Sequence, residues 1–246
     1  MSINDGPSST SSSSQREDED TALPYWQVNV PAAQRTATCP DFLADVNDKS
    51  KRILSTPDGG YKRLSWADVK SVVAENRLDA FQRVPSDLRR YLQYVFEIKR
   101  RHGSVMEFVL RERIRWGKGE MKPRGRRPFE DASDIRILYN DWPYGIDEGI
   151  VHLVVWTKFD LAEDPSTGDL TDEARRQIDD YVRTVFGSGG EDVAWFKNWK
   201  SLKSVEAVEH FHVLLNRPDL QFVADLTGND IPMAEKLKHS EVALIE

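Results

Sequence analysis

The chain has 246 residues, enough to bury a substantial core, and its net charge of −7 argues against nucleic-acid binding driven by overall charge. The single cysteine, Cys39, excludes an internal disulfide and fits a reducing compartment. No apolar run approaches the length of a membrane span, and the N-terminus lacks the apolar core of a signal peptide. These features predict a soluble intracellular protein. The predicted location is the cytoplasm, and the nucleus is an additional alternative.

The two ends of the chain are predicted to differ from its middle. Residues 1–21 contain seven serines followed by the acidic run at 17–20, a composition that cannot bury surface and predicts a disordered tail. Residues 22–230 are predicted to form a single α+β domain. Within it, residues 23–31 alternate aromatic and β-branched side chains between prolines, which predicts an extended segment. Residues 231–246 are predicted to be a polar, frayed C-terminal tail.

Helices are predicted from capping residues and apolar periodicity. Ser65 and Asp68 predict the start of a helix over 66–75, and Ser86 predicts the start of a second helix that Gly103 ends. Further helices are predicted over 105–113, over Asp172–Phe186 with Thr171 as its cap, and over 217–226.

Four strands are predicted between and after these helices, at Ile135–Tyr139, Ile150–Thr157, 193–197 and 208–215. The second is apolar almost throughout, which predicts burial on both faces. His152 lies inside it and is predicted to be a hydrogen-bonded core histidine. The expected architecture is a mostly antiparallel sheet flanked by helices.

The last predicted strand carries two histidines in one apolar run, His210 and His212. Strand alternation puts them on one face with Cα atoms roughly 6.5–7 Å apart. Lys197, Lys200 and Lys203 add positive charge upstream, and imidazoles beside ammonium groups suit phosphoryl chemistry or phosphate binding. The alternative is a core strand whose histidines are hydrogen-bonded and inert.

A second concentration of charge lies at residues 111–127, which contain eight basic residues and only two acidic ones. Its glycines and Pro123 predict a loop. Arg124 and Arg126 of this loop are predicted to contact a phosphate-bearing ligand or RNA. The alternative is a solvated loop without a ligand.

Five stretches carry a resemblance to a known family: residues 25–31 (YWQVNVP), 138–146 (LYNDWPYGI), 152–158 (HLVVWTK), 195–205 (WFKNWKSLKSV) and 209–213 (EHFHV). They resemble the N-acetylglucosamine-induced protein family of fungi, and the likeness covers nearly everything after the acidic tail. The resemblance implies a fungal source and a link to the amino-sugar response, but it fixes no reaction.

The succession of strand, polar turn, strand and Val-x-His-x-His is also similar to the histidine-triad superfamily of nucleotide hydrolases and transferases. That resemblance implies a histidine-triad-like fold in which His212 is the nucleophile, His210 supports it and Asn198 contacts the phosphate. Asn140, Asp141 and the neighbouring Trp142 would lie where the ribose is held. Two positions depart from the pattern, since Leu214 replaces the third histidine and Glu206 replaces a glutamine.

Two classes of function follow from the sequence. One is a histidine-dependent nucleotidyl hydrolase or transferase, and the other is a non-catalytic module that binds a nucleotide or sugar phosphate. RNA association through residues 111–127 is a third, weaker alternative. The expected partner is a small phosphorylated ligand. No metal, cofactor or membrane partner is predicted, and nucleic acid is expected only under the weaker RNA alternative. The sequence leaves the oligomeric state open.

Overall fold

The computed structural model describes residues 23–117, 120–187, 192–199 and 208–238. Within these ranges the chain forms eight α-helices and four strands. The helices are α1 (Asp41–Ala44), α2 (Asp48–Leu54), α3 (Trp66–Ala74), α4 (Pro85–His102), α5 (Val105–Phe108), α6 (Asp172–Phe186), α7 (Leu220–Thr227) and α8 (Met233–Lys238). The strands are β1 (Ile135–Tyr139), β2 (Ile150–Thr157), β3 (Val193–Phe196) and β4 (Glu209–Asn216). A π-helical segment, Val109–Ile114, continues directly from α5.

The four strands form one antiparallel sheet in the order β1-β2-β4-β3, so the predicted α+β architecture with an antiparallel sheet is confirmed. The bounds of β1 and β2 are those expected from the sequence, and β3 and β4 differ from expectation by one residue at their ends. Strands β2 and β4 are central, and almost all of their side chains are buried. The predicted burial of β2 on both faces is therefore confirmed.

One face of the sheet packs against α6 and α7. Phe211 and Val213 of β4 and Leu153 of β2 meet Ile178 of α6 and Val223 of α7, and each of these five side chains is fully buried. Alternation along β2 and β4 sends the intervening side chains to the opposite face. The described side chains that meet on this face thus form an apolar core.

The opposite face of the sheet carries the histidines and is covered by the first half of the chain. Leu214 packs against α3 through Val69 and Val72, whereas Val154 and Trp156 pack against the π-helical segment through Val109 and Ile114. Helix α4 packs on α1, α2 and α5, and its Tyr91 and Tyr94 contact Trp142. The layers therefore place the histidine face between the sheet and the helices of the N-terminal half.

The first residue and the cap of a helix were predicted correctly for α3 but not for α4 and α7. Ser65 and Asp68 form the predicted capping box of α3. Ser86 does not cap α4, because the helix begins at Pro85 and the Ser86 N–H is bound by the Asp58 carboxylate at 3.0 Å. Helix α7 begins at Leu220 rather than at 217, because Arg217 has a left-handed φ of 49° before Pro218.

The expectations for both ends of the described chain need correction. Residues 23–31 form consecutive turns rather than an extended segment, with Asn29 at φ 59° and Val30 N–H bound to Gln27 O. Residues 233–238 form helix α8 instead of a frayed tail, because Asp141 binds the N–H groups of Met233 and Ala234 at its start. The predicted tail at 1–21 lies outside the described residues.

Among the helices of the described ranges, none is long and apolar enough to cross a membrane.

Candidate functional site

Three histidines meet on the face of the sheet that the N-terminal half covers. His210 and His212 share that face of β4, as the alternation predicts, and His152 of β2 joins them because it pairs in register with Leu214. The ring centroid of His212 lies 5.1 Å from that of His152 and 5.7 Å from that of His210. Leu214 thus occupies the place of a third β4 histidine, and the neighbouring strand supplies an imidazole beside it.

A chain of hydrogen bonds fixes where the protons of this cluster reside. The Trp142 backbone N–H donates to Asn140 Oδ1 at 2.9 Å, so the amide group of Asn140 turns toward His152 Nε2 at 3.2 Å. An amide N–H can only donate, which makes His152 Nε2 an acceptor and places the His152 proton on Nδ1.

The same reasoning continues to His212 and Asn198. His212 Nδ1 lies 3.0 Å from the accepting His152 Nε2, so His212 carries its proton on Nδ1 and donates. Its Nε2 atom then holds a free electron pair and accepts from Asn198 Nδ2 at 3.0 Å. One backbone N–H therefore sets the direction of every hydrogen bond from Asn140 to Asn198.

Both linked histidines are neutral at physiological pH. Burial lowers the pKa of His152 to about 3, and the guanidinium of Arg83 acts in the same direction. Burial also lowers the pKa of His212 well below its usual range, with His152, His210 and Arg83 adding to the effect. The positive charge of this site consequently comes from arginine and not from imidazole.

A partly open cavity of about 140 Å³ lies against the histidine face. Its polar end is formed by Arg83, Tyr144, Asn198, His210 and His212. Its other walls are mainly apolar and aromatic and come from α4, the α5 region and the sheet: Tyr91, Tyr94, Val95, Ile98, Val105, Phe108, Val109, Leu138, Trp142, Val154 and Trp156. A concave, largely apolar pocket with a few converging polar groups is typical of a small-molecule site.

Three side chains that line this cavity hold a buried polar atom with no hydrogen-bond partner in the described part of the chain. They are Tyr94 Oη, Trp142 Nε1 and Asn198 Oδ1. Trp142 and Asn198 are only 3% and 6% exposed. A buried polar atom left unpaired costs roughly 1–3 kcal/mol, so three around one cavity are a costly arrangement unless something fills it.

Two arginines line the cavity and differ in their surroundings. Arg113, presented by the π-helical segment, is held by Asp141 and by both carboxylate oxygens of Asp230 at 2.8 Å, so its charge is neutralised. Arg83 donates Nε to Trp142 O at 3.0 Å and lies 4.0 Å over the Tyr91 ring, and it pairs with no carboxylate among the residues described. Arg83 is therefore the uncompensated cation of the cavity.

The structure brings together most of the residues predicted for the site. His210, His212, Asn198, Asn140, Asp141 and Trp142 all line the cavity. Their accessibility is limited, however, because Phe196 stacks on His212 at 4.8 Å and Trp156 lies over His210 at 4.5 Å between ring centroids.

The predicted basic ligands do not join this group. Lys197 forms ion pairs with Glu163 and Glu209 away from the cavity, since it follows Phe196 in β3 and points to the other face. Arg124 and Arg126 are exposed on a loop whose backbone N–H groups bind Asp134 and Glu130. Lys200, Lys203 and Glu206 lie outside the described residues.

Sequence reasoning did not find several residues of the cavity. Arg83 lies in the loop before α4 and belongs to no sequence pattern, and neither Tyr94 nor Tyr144 was predicted to be a site residue. His152 was predicted to be a satisfied core histidine. It is buried and bonded to Asn140 and His212, yet its Nδ1 atom has no partner among the described residues.

Comparison with known proteins places this site within a shared region. Residues 65–216 match the family model described as "Protein of unknown function (DUF3605)". The chain is 26% identical over 183 residues to N-acetylglucosamine-induced protein 1 of Candida albicans, covering 66% of this chain and 72% of that protein. It is also 26% identical over 168 residues to the uncharacterized protein YPL067C of Saccharomyces cerevisiae, covering 65% and 82%. The resemblance to the fungal N-acetylglucosamine-induced proteins is thereby confirmed.

A solved structure shares the fold. The crystal structure of HTC1 superposes with a TM-score of 0.51 at 24% identity, covering 72% of this chain and 96% of that one.

Proposed function

The chain belongs to the DUF3605 family, and we propose that its cavity binds a small anionic ligand, with Arg83 as the group that recognises the negative charge. The observation that carries the proposal is the set of buried polar atoms without partners, Tyr94 Oη, Trp142 Nε1 and Asn198 Oδ1, around one cavity. A ligand that pairs with them offsets their desolvation cost.

The charge of the ligand follows from the groups at the polar end. Arg113 is neutralised by Asp141 and Asp230, and the two linked histidines are neutral, which leaves Arg83 as an unmatched positive charge beside the cavity. A guanidinium recognises carboxylate and phosphoryl oxygens well, because its N–H donors fit two oxygens at once. A phosphorylated ligand, as the sequence predicted, and a carboxylate are both consistent with this end.

Ligand-induced thermal stabilisation tests the proposal. Glucose 6-phosphate, glycerol 3-phosphate, glycerate and adenosine monophosphate are added to the full chain over a concentration series. A ligand at a hundred times its dissociation constant should stabilise the protein by about 2.7 kcal/mol. Arg83→Gln should abolish the stabilisation. Arg63→Gln is the matched control, because Arg63 also donates to a backbone carbonyl, that of Ile146, but does not line the cavity. Absence of stabilisation by every compound would overturn the proposal.

A second candidate is the nucleotidyl hydrolase or transferase that the histidine-triad resemblance implies. The observation in its favour is the free electron pair on His212 Nε2 beside Asn198, which is the state that a nucleophile needs. In this reaction Nε2 attacks the α-phosphorus, the bond to the leaving phosphate oxygen breaks with its electron pair, and water later cleaves the N–P bond. The resting geometry favours binding over catalysis, since Asn198 occupies Nε2 and Phe196 covers the ring.

The two candidates separate in a labelling experiment. If the chain is a nucleotidyl transferase, brief incubation with a nucleotide sugar should add a nucleoside monophosphate to the protein mass. His212→Asn should abolish both that adduct and turnover while binding is retained, because an amide cannot form the covalent intermediate. His210→Asn should reduce turnover less. If no nucleotide sugar gives an adduct or is turned over, the nucleotidyl transferase candidate is rejected and ligand binding is the candidate that stands.

A further inference from the structure

The direction of the hydrogen-bond chain determines which kind of atom the ligand must present to Asn198. Trp142 N–H fixes Asn140, Asn140 fixes His152, and His152 fixes His212. Because His212 Nε2 accepts from Asn198 Nδ2, the unpaired atom of that amide is its oxygen, Oδ1. An amide oxygen can only accept, so its partner must be a hydrogen-bond donor.

Trp142 requires the opposite kind of partner, a hydrogen-bond acceptor. Its indole Nε1–H is buried without a partner among the described residues, and an indole N–H can only donate. Arg83 likewise offers donors only. A single ligand that satisfies the cavity therefore carries acceptors for Trp142 and Arg83 together with at least one donor for Asn198.

Common small anions fail this requirement in different ways. A simple carboxylate or the dianion of an alkyl phosphate presents acceptors and no donor, and it leaves Asn198 Oδ1 unpaired. A hydroxyl group next to the anionic group supplies the missing donor. Size narrows the choice further, since the cavity of about 140 Å³ is close to the roughly 150 Å³ that encloses one benzene molecule. A whole nucleotide exceeds this volume and would have to extend through the open side of the cavity.

We infer that the ligand is a small hydroxylated anion, either a short hydroxy acid or the hydroxylated, phosphorylated end of a sugar, whose hydroxyl donates to Asn198 Oδ1 while its anionic oxygens accept from Arg83 and Trp142. This inference rests on the proposed binding function and names the ligand class for the same cavity. The aromatic and aliphatic walls, among them Tyr91, Phe108 and Trp156, suit the carbon skeleton of such a molecule.

Two matched pairs of probes test the donor requirement. Glycerate is compared with propionate, and glycerol 3-phosphate with propyl phosphate, so that each pair differs only in hydroxyl groups. Binding to the full chain is measured by titration calorimetry. The hydroxylated member of at least one pair should bind at least ten times more tightly, because a site built around a hydroxyl strongly rejects the analogue that lacks it. The pair that responds tells whether a carboxylate or a phosphoryl group occupies the Arg83 end.

Variants connect the discrimination to Asn198. In Asn198→Ala the acceptor is gone, and the two members of the responding pair should bind within a factor of about two of each other. Asn216→Ala is the control, because that asparagine at the end of β4 binds Asp192 Oδ1 at 2.9 Å and does not line the cavity. Trp142→Phe, which keeps the backbone N–H and removes the indole donor together with part of the ring, should weaken both members of the pair equally.

The outcomes separate the inference from the proposed function. Equal binding of hydroxylated and non-hydroxylated probes overturns the donor requirement and leaves anion binding standing. Discrimination that persists in Asn198→Ala, provided that circular dichroism shows a folded variant, also overturns the inference. If Asn198→Ala does not fold, Asn198→Ser provides the test, because a hydroxyl can itself donate and should admit the non-hydroxylated probe. Failure of all four probes, of glucose 6-phosphate and of adenosine monophosphate overturns the proposed function itself.

Discussion

His212 Nδ1 and His152 Nε2 face each other at 3.0 Å across β2 and β4, and the proton between them belongs to His212. Both rings should therefore carry their proton on Nδ1, the less common form of neutral histidine. Nitrogen-15 spectra of histidine-labelled protein report this directly. An Asn140→Asp variant should move the His152 proton to Nε2, because a carboxylate accepts where the amide donated. A spectrum with Nε2–H on His152 in the unaltered protein would contradict the hydrogen-bond chain.

Stability should fall as the pH drops below about 6.5, the ordinary pKa of histidine in the unfolded chain. The folded-state pKa values of His152 and His212 are lowered, so the unfolded state binds more protons in this range and is favoured by acid. Each of the two histidines can contribute up to about 1.4 kcal/mol per pH unit, until the pH reaches its folded-state pKa, about 3 for His152.

Chemical denaturation at pH 8, 7, 6 and 5 measures this dependence. His212→Asn should flatten the curve between pH 6.5 and 5, since one of the two titrating groups is gone. His102→Gln is the control, because His102 lies at the end of α4 outside the network and contacts only Phe108 among the rings described. A curve that rises toward pH 5 in the unaltered protein would contradict the neutral, buried state of the pair.

Asp230→Ala should destabilise the protein by about 3–5 kcal/mol, because it removes one of the two carboxylates that neutralise the buried Arg113 and leaves only Asp141. The Asp230 carboxylate binds both terminal nitrogens of Arg113 and also the Tyr139 N–H at 3.1 Å. Asp225→Ala, at an exposed carboxylate of α7, should change stability by less than about 0.5 kcal/mol. Urea denaturation compares the two. A similar small loss in both variants would show that Arg113 finds other partners.

Gly145→Ala should destabilise the turn that leads from β1 to β2. A methyl group at Gly145 would overlap the phenol ring of Tyr61, whose hydroxyl donates to Gln82 O, the same carbonyl that binds the Gly145 N–H. Overpacking of this kind costs about 1–3 kcal/mol. Gly59→Ala is the matched control, since a methyl group there meets open space. Equal melting temperatures for the two variants would mean that Tyr61 moves aside at little cost.

The elements of this fold could be predicted where the signal is local. The strands β1 and β2 and the helix α6 begin and end where composition and capping place them, because an apolar run or a Thr171 cap acts through neighbouring residues. Features held by distant partners were missed. Helix α8 depends on Asp141, nearly a hundred residues earlier in the chain. Helix α4 was predicted, but its start was assigned to a Ser86 cap, whereas the Ser86 N–H binds the distant Asp58.

The residues of the candidate site also divide into those that a local pattern predicts and those that only the packing of distant segments brings together. Strand alternation was sufficient to put His210 and His212 on one face, and it could also have shown that Lys197, next to Phe196, points to the other. The addition of His152 depends on the register that sets it opposite Leu214, which no periodicity within β2 reveals. Arg83 reaches the cavity from the loop before α4, so only the packing of that loop on Trp142 and Tyr91 brings it there.

The clamp of Asp141 and Arg113 on residues 230–234 has a consequence for synthesis of the chain. Ribosomes release a protein from its N-terminus onward, and every strand and every histidine of the site emerges before residue 230. Until Asp230 arrives, Asp141 is the one described carboxylate that can pair with Arg113. A nascent chain can therefore assemble the four described strands early, whereas the ion pair between Arg113 and Asp230 beside the cavity forms only after residue 230 has left the ribosome.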